Sequence, residues 1–338
     1  MNLSHQIFNQ LLIMMIIAVF GFIFAKCFNV EEKEEKFLSK LLLYFINPCL
    51  IFNSFNVPFD KNKLIGLVFS IVLSFVITFV MIFFAQILYK KKTSINQIQK
   101  LAVVFTNCGF IGIPLITTVY GGEGVFYLMG YLVSFNVMLW VYGYYQMAGK
   151  TNIKKIITNP NIIAVVAGLI LFVSPYKLPS MITKPISMIG SLNTAISMIL
   201  LGILFGQLKK EWMIKLFNTV KSFFSLSKDY STKRYKVISV ILTSLVRLIL
   251  FGFINLAICY FVLNLCKNHF SFLETKMIIL ICSVVLIASL CPTGISVSSL
   301  SCLFNKDAVF ANFLVCFTHV LCIFTIPFVL NIFLYLVL

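Results

Sequence analysis

Charged residues are scarce in this chain of 338 residues. They make up 11% of it, less than half of the roughly 25% that is typical of soluble domains. Hydrophobic residues make up 60%, and the mean hydropathy is +1.02. These values exclude an ordinary soluble enzyme, a disordered tail and a disulfide scaffold. The apolar runs are long enough to span a bilayer as helices, so the chain is predicted to be an all-α polytopic membrane protein.

Carboxylates are much scarcer than basic groups, with ten Asp and Glu residues against 27 Lys and Arg residues. All ten lie in loops or at the ends of apolar runs. A carboxylate-based proton or sodium antiporter places such a group in the membrane core, so this mechanism is disfavoured. The three histidines do not cluster, and the ten cysteines form no CxxC pair. We therefore expect no metal site, no cofactor and no enzymatic activity. His319, the one histidine inside an apolar run, is interpreted as a packing residue.

The loops between the apolar runs carry a strong charge bias. Twenty of the 27 Lys and Arg residues fall in one alternating set of loops, six fall in the other set, and Arg247 alone lies inside a span. Basic residues stay on the cytoplasmic side, so both termini are predicted to lie outside the cytoplasmic membrane. This orientation accounts for the net charge of +17 without a nucleic-acid partner. The ten predicted spans are residues 7–27, 37–55, 64–88, 100–119, 125–147, 160–174, 186–207, 237–263, 277–303 and 311–337.

Ten spans divide into five and five. An odd number of spans in each half places the second half upside down, as in many secondary transporters. Span 4 contains Asn107, Gly109 and Pro114, and span 9 contains Pro292 and Gly294. Proline removes a backbone hydrogen bond and glycine permits unwinding. We therefore predict a 5+5 inverted repeat with two broken crossover helices, spans 4 and 9.

The paired breaks favour an anion-binding site. Two broken helices that cross at mid-membrane bring half-helix N-termini together, and each terminus carries about half a positive charge and free N–H groups. Asn107 and Thr293 can add side-chain hydrogen bonds there. The alternative interpretation, that Pro and Gly only kink packed helices, stays open, because both residues are frequent in membrane helices.

Polar residues in three other spans also leave two interpretations open. Asn47 and Pro48 interrupt span 2, and Asn193 lies in the matching span 7. The two amides either contribute to a site or join helices through hydrogen bonds. Arg247, inside span 8, either attracts the anion or extends its side chain to the cytoplasmic surface.

Four segments resemble the auxin efflux carrier family, in its bacterial malate-permease-like branch. They are NPCLIF in span 2, TNCGFIGIPL in span 4, NPNIIAVVAGLIL at span 6, and CPTGIS followed by FNKDAVFA around span 9. The resemblance covers nearly the whole chain and implies ten spans, elevator-like motion and homodimers that form through the scaffold. It implies a scaffold of spans 1, 2, 6 and 7 (residues 1–60 and 160–208) and a transport unit of spans 3–5 and 8–10 (61–150 and 237–338). The basic loop 209–236 precedes span 8.

By its motifs, the resemblance also implies that Asn107 lies at the substrate site and that Pro114 and Pro292 are crossover prolines. The chain departs from plant auxin carriers in its short loop after span 5 and in Val297, where they have a second proline. We therefore expect alternating-access transport of a small organic anion such as malate, with a sodium-coupled symporter of the bile-acid-transporter type as the alternative. The candidate substrate-binding residues are Asn47, Pro48, Asn107, Cys108, Gly109, Pro114, Pro292, Thr293 and Gly294, with Arg247 as the candidate for anion attraction.

Overall fold

The computed structural model describes residues 3–149, 158–176, 178–207, 232–269 and 274–337. Within these ranges the chain is all-helical, and its only β-type pairing is one isolated bridge. We number the helical segments α1 to α12 in chain order. Most of the predicted basic loop 209–236 falls outside the described residues. Its last residues do not form a loop, because α9 already begins at Thr232.

The first half of the chain forms α1 to α6. Helix α1 covers Leu3–Phe28, α2 covers 32–54 with a π-helical turn at Leu42–Ile46, α3 covers Lys61–Leu88 and α4 covers Ser94–Val104. Three non-helical residues follow, and then α5 covers 108–120 and α6 covers 122–148. Gly121 separates α5 from α6 with φ 60° and ψ −153°, a conformation that residues with a side chain rarely adopt.

The second half forms α7 to α12. Helix α7 covers Pro160–Val173, α8 covers Ser180–Gln207, and α9 covers 232–269 with a π-helical turn at Val246–Leu250. Helix α10 covers Thr275–Leu290, α11 covers Ile295–Leu303 and α12 covers Ala308–Val337. Each half therefore has one interruption of a few residues, between α4 and α5 and between α10 and α11.

Side-chain caps fix the starts of several helices, among them α3, α4 and α7. The Asp60 carboxylate accepts hydrogen bonds from two backbone N–H groups in the first turn of α3, and the Thr93 hydroxyl accepts one from the first turn of α4. Asn159 caps α7 in the same way, and Pro160 occupies the first position, where no backbone N–H is needed. Asp, Thr and Asn are favoured at this position because they satisfy N–H groups that lack a helical partner.

Seven helices of the described chain are long and apolar enough to cross a membrane. They are His5–Phe28, Lys33–Ser54, Lys61–Leu88, Cys108–Ala148, Ser180–Gln207, Lys236–Lys267 and Ala308–Val337. The predicted number of ten spans differs from seven for a geometric reason. The stretch Cys108–Ala148 joins parts of two predicted spans across Gly121, α7 has only 14 residues, and the ninth predicted span is divided between α10 and α11.

The helices pack in two groups. Helix α1 packs along α8, and α2 packs against α7 and α8. A Cβ atom at Gly21 or Gly202 would overlap the backbone of the opposite helix in the α1–α8 pair, so this close approach requires glycine. In the other group, α3 packs on α6 and α10, while α12 contacts α9, α10 and α11. The groups meet mainly where α1 contacts α12 and the stretch Ile113–Met138.

Candidate functional site

The two interruptions, after α4 and after α10, pair with each other. The backbone N–H of Asn107 donates to the carbonyl of Pro292 at 2.7 Å, and that of Gly294 donates to the carbonyl of Phe105 at 2.9 Å. Together they form the isolated antiparallel bridge. A buried backbone group without a partner costs free energy comparable to a lost hydrogen bond. Each interruption therefore stabilises the other.

Arg247 of α9 contacts both interruptions. It is 1% exposed, and its guanidinium donates to the carbonyls of Ser289 and Cys291 at 2.6 and 2.7 Å and to the carbonyl of Val103 at 3.4 Å. These carbonyls lie at the C-terminal ends of α10 and α4, where the helix dipole is negative and carbonyls lack helical partners. The interpretation that Arg247 extends to the cytoplasmic surface is therefore wrong. Its attraction to an anion stays a prediction, because the side chain is not part of the cavity wall described next.

A cavity of about 970 Å³ reaches the paired interruptions. It lies between α2 on one side and α5, α6, α11 and the start of α12 on the other. The charged residues of its wall are Glu35, Lys36 and Lys40, all in the first three turns of α2. The rest of the described wall is neutral and rich in amides and hydroxyls. Its polar residues are Ser39, Asn47, Thr106, Asn107, Asn136, Asn159, Asn161, Gln207, Ser296, Ser298, Ser299 and Asn312.

Among the helices that begin at this cavity, α5 and α11 start at the paired interruptions and have no side-chain cap, whereas Asn159 caps α7 and Asp307 caps α12. Gly109 lies in the first turn of α5, and Ile295 and Ser296 lie in the first turn of α11; all three form part of the wall. The Ser296 hydroxyl is buried and has no hydrogen-bond partner among the described residues. Helix N-termini carry partial positive charge. The cavity thus presents two uncapped, positive helix ends and an unsatisfied hydroxyl.

Four of the nine predicted site residues line the cavity, namely Asn47, Asn107, Gly109 and Gly294. Asn107 is the central one, because it lies at the point where α5 begins and its backbone pairs with the other interruption.

His319 of α12 is a residue that the sequence interpretation missed. Its Nε2 atom lies 2.8 Å from Nδ2 of Asn107, and its Nδ1 atom lies 2.7 Å from the carbonyl oxygen of Val315. The imidazole is fully buried. His319 is therefore more than a packing residue, since it holds the side chain of the central cavity residue.

Comparison with known families decides the assignment of the chain. The family model described as membrane transport protein, which represents the auxin efflux carrier family, matches residues 6–153 and 145–330. The chain belongs to the auxin efflux carrier family. It is a multi-pass membrane protein of a family of membrane transporters. A search of curated proteins finds no match to the chain.

The two crossover prolines implied by the family resemblance occupy different settings. Pro292 lies in the second interruption, and its carbonyl is one of the bridge acceptors. Pro114 lies in the first turn of the regular helix that follows the π-helical turn Cys108–Gly112. The helix breaks at Phe105, well before this proline, so the prediction that Pro114 breaks span 4 is wrong. For the first interruption, its pairing with the second, rather than Pro114, accounts for the unwound residues.

Three other predicted site residues of this family member, Pro48, Cys108 and Thr293, do not line the cavity. Pro48 lines a separate apolar groove with Pro160 and Ile163, and Cys108 is fully buried. Thr293 is also buried and makes two bonds to the protein. Its hydroxyl donates to the carbonyl of Ala102 at 3.0 Å, and its backbone N–H donates to the Thr318 hydroxyl at 3.2 Å.

The sequence leaves two interpretations of Asn47 open, a site residue or a residue that joins helices, and the structure gives Asn47 a contact of each kind. Its side-chain oxygen accepts a hydrogen bond from the amide of Asn193, which joins α2 to α8. The same residue lines the cavity. Asn136 and Asn312 line it as well and were not predicted, although each interrupts an apolar run. Polarity at these positions was visible in the sequence, but the face that each would present to its neighbours was not.

Proposed function

We propose that the protein is a secondary carrier that moves a small organic anion across the cytoplasmic membrane. The observation that carries this proposal is the cavity at the paired interruptions, where α5 and α11 begin and Asn107 lies between them. Amide and hydroxyl groups can donate to a carboxylate, and two helix N-termini favour negative charge. The only carboxylate in the described wall, Glu35, lies in the first turn of α2, far along that helix from Asn47.

The proposed path starts on the cytoplasmic side. The cavity wall includes Lys36 and Lys40, and basic residues near span ends mark the cytoplasmic face. The cavity therefore corresponds to an inward-open state. Ten spans in a 5+5 inverted repeat, with both termini outside, are part of this proposal and are supported by one interruption in each half of the chain.

The proposed motion is a displacement of one helix group past the other. The group of α1, α2, α7 and α8 corresponds to the scaffold, and the group of α3–α6 and α9–α12 corresponds to the transport unit. Asn47 belongs to the first group and Asn107 to the second, so the cavity has walls from both. Elevator-like sliding would then carry the substrate with the second group. Homodimers would form through the first group, which would hold it fixed in the membrane.

Uptake by purified protein in proteoliposomes tests the substrate class. Labelled malate, succinate and lactate should enter, and a cationic amine of similar size should not. Each uptake is measured with and without a sodium gradient, and dependence on sodium would favour the symporter alternative. Transport of the amine but of no carboxylate would contradict the anion proposal.

A labelling experiment tests the proposed orientation. A single cysteine introduced in the loop 209–236 should react with a membrane-impermeant maleimide only from the cytoplasmic side, and a tag after Leu338 should be accessible only from outside. Accessibility of both from one face would contradict the ten-span topology.

A further inference from the structure

The contact between Asn107 and His319 determines which end of the Asn107 side-chain amide, the donor Nδ2 or the acceptor Oδ1, is free to face the cavity. His319 Nδ1 lies 2.7 Å from the carbonyl oxygen of Val315, which can only accept a hydrogen bond. Nδ1 must therefore carry a proton. In a neutral imidazole Nε2 then has no proton and acts as an acceptor. Asn107 meets this acceptor with Nδ2, the donor end of its amide, at 2.8 Å.

A second proton on His319 reverses this arrangement. In the imidazolium both ring nitrogens donate, so Nε2 would need an acceptor, and the oxygen Oδ1 is the only acceptor on the Asn107 side chain. Rotation of the amide by half a turn places Oδ1 against His319 and turns Nδ2 away from it. Asn107 lines the cavity, so its free end changes from acceptor to donor when the ring gains a proton.

Other titratable groups near this contact have their own partners or lie apart. On the packed helices these are Arg247 of α9, which donates to three carbonyls, Lys100 of α4, which donates to Gln86, and the buried thiols of Cys108 and Cys291. On α12 itself they are Cys316 and Cys322, and the Cys322 thiol donates to the His319 carbonyl. Helices α1 and α8, which also contact α12, carry Lys26 and Lys184 near their ends.

We propose that His319 is a positioning residue of the anion site, and that its protonation turns the donor end of Asn107 toward the substrate. When a dicarboxylate such as malate enters, one proton binds at Nε2, the amide rotates, and Nδ2 donates to the substrate carboxylate. This inference rests on the proposed function for the identity of the ligand, but the tautomer that it requires does not depend on any ligand. The site thereby couples the binding of one dicarboxylate to the uptake of one proton.

The tautomer can be read directly, because the chain has only three histidines. A variant with His5→Gln and His269→Gln retains His319 alone, and His5 is not part of the described cavity wall. Protein labelled with ¹⁵N-histidine is studied in lipid bilayers by solid-state NMR. At pH 8 without ligand we expect a protonated Nδ1 and an unprotonated Nε2. A ring with its single proton on Nε2 would overturn the proposal.

Binding measurements test the coupling. The dissociation constant of labelled malate is measured between pH 6 and 8, and each value is corrected for the fraction of free malate that is ionised at both carboxylates, because the first negative charge raises the pKa of the second carboxyl. Uptake of one proton with the anion makes binding tighter as pH falls, by at most tenfold per pH unit. His319→Gln keeps a hydrogen-bonding amide but cannot gain a proton, so its affinity should not change with pH, whereas His269→Gln should retain the wild-type slope. Equal slopes in wild type and His319→Gln would overturn the proposal. If wild type binds none of malate, succinate and lactate, the proposed substrate class fails, and the NMR tautomer alone decides the role of His319.

Discussion

Replacing Arg247 should loosen the paired interruptions. In Arg247→Met, the carbonyls of Ser289 and Cys291 lose donors at 2.6 and 2.7 Å. A hydrogen bond from a charged donor contributes about 1.5–3 kcal/mol. Removal of a buried cation offsets part of the loss, because its desolvation cost disappears. We therefore expect local opening to become easier by about 3 kcal/mol, which is roughly 100-fold in the opening equilibrium at 1.4 kcal/mol per tenfold.

Native cysteines report this opening. Cys108 and Cys291 are fully buried at the interruptions, whereas Cys27 and Cys302 are exposed and label first. When opening is fast and reversible, labelling of a buried group follows the equilibrium population of the open form. Mass spectrometry of labelled peptides gives the rate at Cys291, which should rise about 100-fold in Arg247→Met.

The control uses another cation of the same helix. Lys236 forms an ion pair with Asp307 at 2.6 Å, with both side chains partly exposed. Such pairs contribute about 0–1 kcal/mol, so Lys236→Met should change the labelling rate at Cys291 by less than about tenfold. Arg247→Lys should give an intermediate rate, because one ammonium group cannot reproduce the planar fork of the guanidinium. An unchanged rate in Arg247→Met would refute the view that Arg247 holds the two helix ends.

Two further predictions concern the site and the α1–α8 contact. Asn107→Ala should weaken binding of labelled malate by about 10- to 150-fold, the equivalent of a lost hydrogen bond to a charged group, while Pro114→Ala should leave maximal uptake close to wild type because the helix breaks well before it. Binding and proteoliposome uptake of both purified variants check this pair, and a large uptake defect in Pro114→Ala alone would contradict it. Gly202→Leu should prevent correct folding, since a Cβ there would overlap the α1 backbone, whereas Gly122→Ala has open space and should behave as wild type. Expression and gel filtration in detergent compare them, and a monodisperse Gly202→Leu would refute the packing argument.

The sequence patterns predicted most helices but placed some of their starts wrongly. Apolar runs located most helices, but the prediction began α8 after Pro185, whereas the helix starts at Ser180 and contains that proline. A proline near the start of a helix disturbs few hydrogen bonds, because the first N–H groups have no helical partner. Helix α2 likewise starts earlier than predicted, at a capping box formed by Glu31 and Glu34. Caps act through side-chain geometry, which hydrophobicity does not report.

The contacts of the candidate site depend on residues far apart in the chain. Asn107 and His319 are separated by 212 positions, and Arg247 reaches carbonyls 144, 42 and 44 positions away. The sequence predicted two special segments because Pro and Gly are visible locally. It could not predict that a histidine and an arginine would meet those segments, because these contacts follow from helix packing. The helix break was misplaced at Pro114 for the same reason.

The charges at the interruptions lead to a last prediction about substrate valence. Arg247 is bound to the negative ends of α4 and α10, which leaves the positive ends of α5 and α11 at the cavity. Two helix N-termini carry about one unit of positive charge together, which balances a monocarboxylate. A dicarboxylate brings a second negative charge, and a protonated His319 would balance it. We therefore expect the dissociation constant of lactate to change little between pH 6 and 8. The dissociation constant of malate should become smaller as the pH is lowered. Isothermal titration of both acids, in two buffers of different ionisation enthalpy, counts the protons bound with each. Uptake of a full proton with lactate would show that His319 responds to binding itself and not to the second charge.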